Sequence, residues 1–188
     1  TKLRLIQNRV HNNFEVKKRE RFLDKYAEKT LENEKFIYFP LQSEPEASIL
    51  LNTPFYSNQI NLIETIAKSI PINYVLYVKE HVAAGLRKWH DMDYYNQITD
   101  IPNVIFINPQ VDNNLLIKNS KLVITTRGYS TLKALKYCIP SIVFGEQPAQ
   151  IMPSIFHVNS LNSLPNLIKD AVILPFAREH SLASSEVG

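Results

Sequence analysis

The sequence predicts an α/β domain built on a parallel sheet with helices on both faces, and three observations predict it. Short apolar runs rich in β-branched and aromatic residues recur from residue 36 onward, helix-like stretches separate them, and the runs are apolar almost throughout rather than alternating. A strand covered on both faces reads as a continuous apolar run, and intervening helices supply the crossovers that parallel strands require.

Taken in order, residues 13–35 come first and carry dense charge of both signs over a thin apolar seam of Phe14, Phe22, Leu23, Tyr26 and Leu31. Pairs such as Glu15/Arg19 and Lys25/Glu28 suit a solvated helix. The segment 1–35 is therefore expected to be a linker or packing helix arriving from an upstream domain, and the chain opens on Thr1 rather than Met. Strands are predicted over Phe36–Leu41, Tyr74–Val78, Val104–Ile107, Leu122–Thr125 and Ser141–Phe144, with Ile155–Val158 as a further candidate. Helices are predicted over Asn58–Ser69, Asp91–Ile98, Asn113–Asn119, Ser130–Tyr137 and Ser163–Val172. In the first of them Ile60, Ile63, Ile66 and Ala67 fall on one face, with Ser57 as the expected cap and Pro71 as the stop. About five strands with right-handed crossovers make a doubly wound, Rossmann-like domain over residues 36–175. The remainder, 176–188, is expected to be a flexible tail.

Composition removes several function classes. Of 188 residues, 45% are hydrophobic and 21% charged, as in ordinary globular domains. Cys138 is the single cysteine, which excludes a disulfide scaffold and zinc-ribbon or zinc-finger sites. The five histidines show no metal-ligand spacing, so no protein-held metal and no cofactor is expected. A net charge of +3 is too small to argue for nucleic acid. No run approaches the ~20 apolar residues of a membrane span. The four glycines, Gly85, Gly128, Gly145 and Gly188, cannot be arranged into a dinucleotide fingerprint, a P-loop or a nucleophile elbow.

In a doubly wound sheet, ligands bind beyond the carboxyl ends of the strands, where strand order reverses. The candidates there are Glu44 and Glu46 after the first strand, Lys79, Glu80 and His81 after the second, and Thr125–Thr131 after the fourth. The last segment has the layout of a phosphate cradle: a strand, hydroxyls, a glycine, then a helix whose amide groups and dipole favour an anion. Thr125, Thr126, Ser130 and Thr131 offer hydroxyls, Gly128 a close approach, and Arg127 a forked cation. The competing reading makes Ser130 or Thr131 a simple helix cap. His81 can bond a phosphate or act as acid or base, or be a satisfied structural residue; Lys79 can bind an anion or merely pair with Glu80 or Glu46. Trp89, Tyr94 and Tyr95 are either a stacking platform or packing.

The stretches FIYFPLQSEPEAS (36–48), LYVKEH (76–81), IPNVIFINPQVDNNLLIKNSKLVITTRGYSTLKAL (101–135) and CIPSIVFG (138–145) resemble, in the right order, the capsular polysaccharide biosynthesis and export family. That family includes bacterial β-Kdo transferases of two-domain GT-B architecture. The resemblance implies the C-terminal, nucleotide-sugar-binding half of such a glycosyltransferase, acting at the inner face of the cytoplasmic membrane. It implies CMP-Kdo as a donor, a glycolipid or saccharide acceptor, and an N-terminal GT-B domain without which this chain is not expected to turn over. His81 would contact the donor phosphate, as would the hydroxyls of the Thr125–Thr131 loop, and Glu44 or Glu46 are the local candidates for a catalytic carboxylate. The chain departs from the family at Val82 in place of proline, Arg127 in place of glycine and Lys133 in place of a ribose-binding glutamate. The alternative to a transferase is a catalytically degenerate Rossmann-like module for interaction or assembly in polysaccharide production; a nucleotide-sugar epimerase of the same architecture is a third.

Overall fold

A computed structural model describes residues 17–18, 20–29, 31, 35–41, 58–80, 90, 92–126, 129–144, 152 and 154–173. Strand and helix alternate: β1 (Phe36–Pro40), α1 (Gln59–Ser69), β2 (Val75–Lys79), α2 (Met92–Thr99), β3 (Val104–Ile107), α3 (Asn113–Asn119), β4 (Leu122–Thr125), α4 (Tyr129–Lys136), β5 (Ser141–Val143), β6 (Ile155–His157) and α5 (Leu164–Ile173). All pairings are parallel, in the order β3-β2-β1-β4-β5-β6. Six strands stand where about five were expected. The sixth, three residues long and paired with β5, falls on the further candidate Ile155–Val158.

Every residue of β1 and β4 is buried, which explains their unbroken apolar sequences. Pleating divides the side chains between two cores. Ile37, Phe39, Leu76, Val78, Leu122 and Ile124 face α1, α2 and α5. Phe36, Tyr38, Tyr77 and Val123 face α3 and α4, where Leu116, Ile117 and Ala134 meet them. Phe22, Leu23 and Ala27 of the charged N-terminal segment belong to the first core. Just beyond the helical residues 20–26, Glu28 bridges to Ile107 at the edge of the sheet, with its N–H on the Phe106 carbonyl at 2.9 Å. Of the seam read from the sequence, Phe22 and Leu23 are packed and Leu31 lies against the second core, whereas Tyr26 is exposed and Phe14 lies outside the described residues.

Local chemistry shifts two expected details. Asn58 rather than Ser57 caps α1, its side chain accepting the Asn61 N–H at 3.1 Å. The buried face of α1 is Gln59, Leu62, Ile63, Ile66 and Ala67. Ile60 lies at the edge of that face and is half-buried. At the other end, the N–H of Ile139 reaches the Ala134 carbonyl and that of Cys138 the Leu135 carbonyl, closing α4 with Cys138 at φ 54°. Among the described residues no helix is long and apolar enough to cross a membrane.

Because Phe22 is 7% exposed and its ring lies 5.9 Å from that of Tyr95, Phe22→Ala should destabilise the chain by about 3 kcal/mol. Urea unfolding checks this; an unchanged midpoint would mean the segment is no part of the cooperative unit.

Candidate functional site

Strand order reverses between β1 and β4, so the crevice of this fold opens beyond Pro40 and Thr125. Lys79 is the last residue of β2 and pairs with Pro40, which puts it one strand from the reversal. Of the candidates read from the sequence, Lys79, Thr125, Thr126, Ser130 and Thr131 are in view; Glu44, Glu46, His81, Arg127, Gly128 and Trp89 lie outside the described residues.

Lys79 and Glu80 do not pair. Adjacent residues on a strand point to opposite faces, and these two do so at the strand's end. Glu80, 1% exposed, turns toward α2, where its Oε2 accepts the Tyr95 hydroxyl at 3.0 Å and lies 2.9 Å from Nδ1 of His90. His90 in turn stacks on Tyr94, ring centroids 3.9 Å apart. Tyr95 is buried in this network and cannot serve as a stacking platform for a ligand. Glu80 and Tyr95 are therefore structural.

Lys79, also 1% exposed, turns toward α3 and donates to Oδ1 of Asn113, the first residue of that helix. The same oxygen accepts the Tyr38 hydroxyl at 3.2 Å. Asp112 caps α3 through the Asn114 N–H at 3.0 Å. Burial drives the Lys79 ammonium down to about 8; the Asp112 carboxylate opposes that shift and the Lys133 ammonium on α4 adds to it. Burial likewise raises the Tyr38 phenol. Asn113, Tyr38 and Asp112 were not candidates from the sequence. The available signals were the Asp-Asn start of α3 and the period-2 placement of Tyr38, but neither brings them to Lys79 without the strand order.

On β4 and α4 the hydroxyls divide. The helix begins at Tyr129, so Ser130 and Thr131 sit in its first turn rather than at the cap expected as the alternative. Ser130 is half-buried. Thr126 and Thr131 are fully buried, and neither Oγ1 has a partner among the described residues. A buried hydroxyl without a partner costs roughly 1–3 kcal/mol, so one just after β4 and one in the first turn of α4 call for an explanation. Lys133 is half-buried in the last turn of α4, with Nζ 5.7 Å from the Tyr129 ring centroid. Among the described residues no three His, Cys, Asp or Glu side chains are grouped to hold a metal.

The depressed Lys79 has a stability consequence. Between about pH 8 and 10.5 the unfolded chain holds this proton and the folded chain does not, so the lysine's cost is largest below pH 8 and fades as pH rises. Lys79→Met should accordingly stabilise the fold at pH 7, by at most about 3 kcal/mol, with the gain vanishing near pH 10.5. Denaturant unfolding of both proteins across pH 6.5–10 tests this, and a pH-independent difference would contradict it.

Comparison with solved structures places the same fold in larger enzymes. The β-Kdo 2,7 transferase KpsC of Thermosulfurimonas dismutans matches with TM-score 0.54 and 17% identity, over 87% of this chain and 55% of that one. The β-Kdo 2,4 transferase KpsC of the same organism matches with TM-score 0.55 and 14% identity, over 78% and 46%. UDP-GlcNAc 2-epimerase of Methanocaldococcus jannaschii, in complex with UDP-GlcNAc and UDP, matches with TM-score 0.53 and 16% identity, over 90% and 48%. The chain thus spans about half the length of these proteins. No curated protein matches it in sequence. Residues 3–151 match the sequence model of the family described as "Capsule polysaccharide biosynthesis protein". With that match running through β1–β5, the chain belongs to the capsule polysaccharide biosynthesis protein family.

Proposed function

We propose that this chain is the nucleotide-sugar-binding half of a glycosyltransferase of capsule synthesis, with the donor phosphate held at the β4–α4 turn. The observation that carries this reading is the pair of buried, unpartnered hydroxyls of Thr126 and Thr131 at the strand end where the fold places ligands. Two hydroxyls already desolvated near a helix start need little further desolvation when a phosphate arrives. Arg127, His81 and Lys79 would supply the cations, and Gly128 a close backbone approach. They would stabilise the leaving nucleotide electrostatically, without a metal cofactor.

The acid–base carboxylate must come from elsewhere in the enzyme. Glu80 already accepts from Tyr95 and faces His90, while Asp112 caps α3. That leaves Glu44 and Glu46 after β1, or an upstream GT-B domain. In this scheme the acceptor is a glycolipid or saccharide, and the enzyme works in the cytoplasm, peripherally at the inner membrane face. The KpsC neighbours support Kdo, hence CMP-Kdo, as donor, and the epimerase neighbour supports a UDP-sugar.

A second reading, a binding-incompetent module for assembly, is favoured by Lys133. Its ammonium stands on the helix nearest the cradle, within electrostatic reach of Lys79, where it offers no acceptor to a ribose.

Isothermal titration with CMP, UDP and their sugar conjugates separates these readings. Binding of CMP, weakened by His81→Ala, identifies a CMP-sugar site; equal or tighter binding of UDP moves the donor to a UDP-sugar. No binding of either up to millimolar concentration supports the assembly module. Thr131→Val gives a second readout. Removing an unsatisfied hydroxyl should leave stability unchanged or raise it by about 1 kcal/mol, while nucleotide affinity falls roughly tenfold. Loss of stability with unchanged affinity would instead make Thr131 a packing residue.

A further inference from the structure

The crevice holds a buried cation with too little negative charge around it. Lys79 is 1% exposed and its ammonium has one hydrogen-bond partner, the neutral Oδ1 of Asn113, already shared with Tyr38. No carboxylate lies within ion-pair distance of it among the described residues. The groups facing it are the Tyr38 phenol from β1, Asp112 and Asn113 from the start of α3, and the Lys133 ammonium from α4. Asp112 draws a proton onto Lys79, but its carboxylate is engaged at the α3 cap; Lys133 works against it. Buried charges are normally paired, and an ammonium left with an amide partner is stabilised by whatever anion can reach it. Beyond the same strand ends, Thr126 and Thr131 carry fully buried hydroxyls with no partner.

We propose that Lys79 is the proton-linked ligand of this crevice, so that a phosphate-bearing ligand binds together with one proton taken up by the Lys79 amine. The inference rests on the reading that the crevice takes phosphate, and adds to it which residue answers the ligand's charge and at what pH. The balance is simple: the neutral amine gains a proton from solvent as the dianion enters, and the ammonium so formed stands opposite the phosphate. Above pH 8 a phosphate monoester is already a dianion, its second pKa being about 6, so the proton cannot be going to the ligand. Lys133 sharpens the linkage, because its charge disfavours the Lys79 ammonium in the free protein and is neutralised by the same anion.

The test is calorimetric titration of the full chain with CMP and UDP, each at pH 6.5 and pH 9. Two buffers of different ionisation enthalpy give the protons exchanged per ligand. Expected are a fraction of a proton released at pH 6.5, from the ligand's own second ionisation, approaching one taken up at pH 9, and an affinity roughly tenfold weaker at pH 9 than at pH 6.5. Lys79→Arg, always charged, should bind with the proton uptake abolished, and Lys79→Met should bind more weakly with none. Wild-type binding at pH 9 without proton uptake overturns the inference and leaves the phosphate site standing, as does uptake that survives in Lys79→Arg. Should no probe bind at either pH, the phosphate reading falls, and this inference with it.

Discussion

The pairing of β1 with β4 is the constraint on which the rest of the molecule depends. Through it β1 lies between β2 on one side and β4 on the other, so the chain leaves β1 in one direction along the sheet and leaves β4 in the opposite one. In folds of this kind the carboxyl edge at such a reversal is where ligands bind. Both strands are buried from end to end, which bars polar side chains from their interiors. Polar chemistry is therefore pushed to the strand ends, where helix starts and loop amides can meet it. The concentration of hydroxyls and lysines around Thr125 and Lys79 follows from topology before any ligand is considered.

Pleating then decides what each polar group can do. Lys79 and Glu80 are neighbours with opposite assignments: the carboxylate is spent on Tyr95 and His90 against α2, whereas the ammonium is left under α3 and α4 with one neutral partner. A one-residue shift in the register of β2 would exchange them and put the negative group on the crevice side. The register is held by Pro40 opposite Lys79 and by Val78 opposite Phe39, both in buried rows. The core thus sets the sign of the charge at the site.

The sequence makes the backbone plan legible because burial on both faces writes itself as continuous apolar runs. Val104–Ile107, Leu122–Thr125 and Asn113–Asn119 stand where periodicity puts them, and the remaining elements differ by a residue or so at their ends. Details that depend on competition between neighbours are less legible: Asn58 and Ser57 are both good cap residue types, and it is Asn58 that accepts the Asn61 N–H. Strand order is written nowhere locally. Without it Lys79 has Glu80 as its obvious partner, and Asn113, thirty-four positions away, has no reason to be considered. The family resemblance is legible for a different reason, since its motifs run along the strands and their ends, which the two cores constrain tightly.

A core built only for packing would fill the positions of Lys79, Thr126 and Thr131 with methionine and valine and gain stability by doing so. The chain instead buries one under-compensated ammonium and two idle hydroxyls within one edge of the sheet, while satisfying its buried carboxylate on the other face with two partners. That asymmetry has a direction: the ammonium calls for negative charge, while each hydroxyl can donate or accept. A sugar ring offers donors as readily as acceptors, whereas a phosphate offers acceptors and charge alone. An anion with acceptor oxygens would answer both kinds of group, and that is the physical ground of the phosphate reading proposed for this crevice.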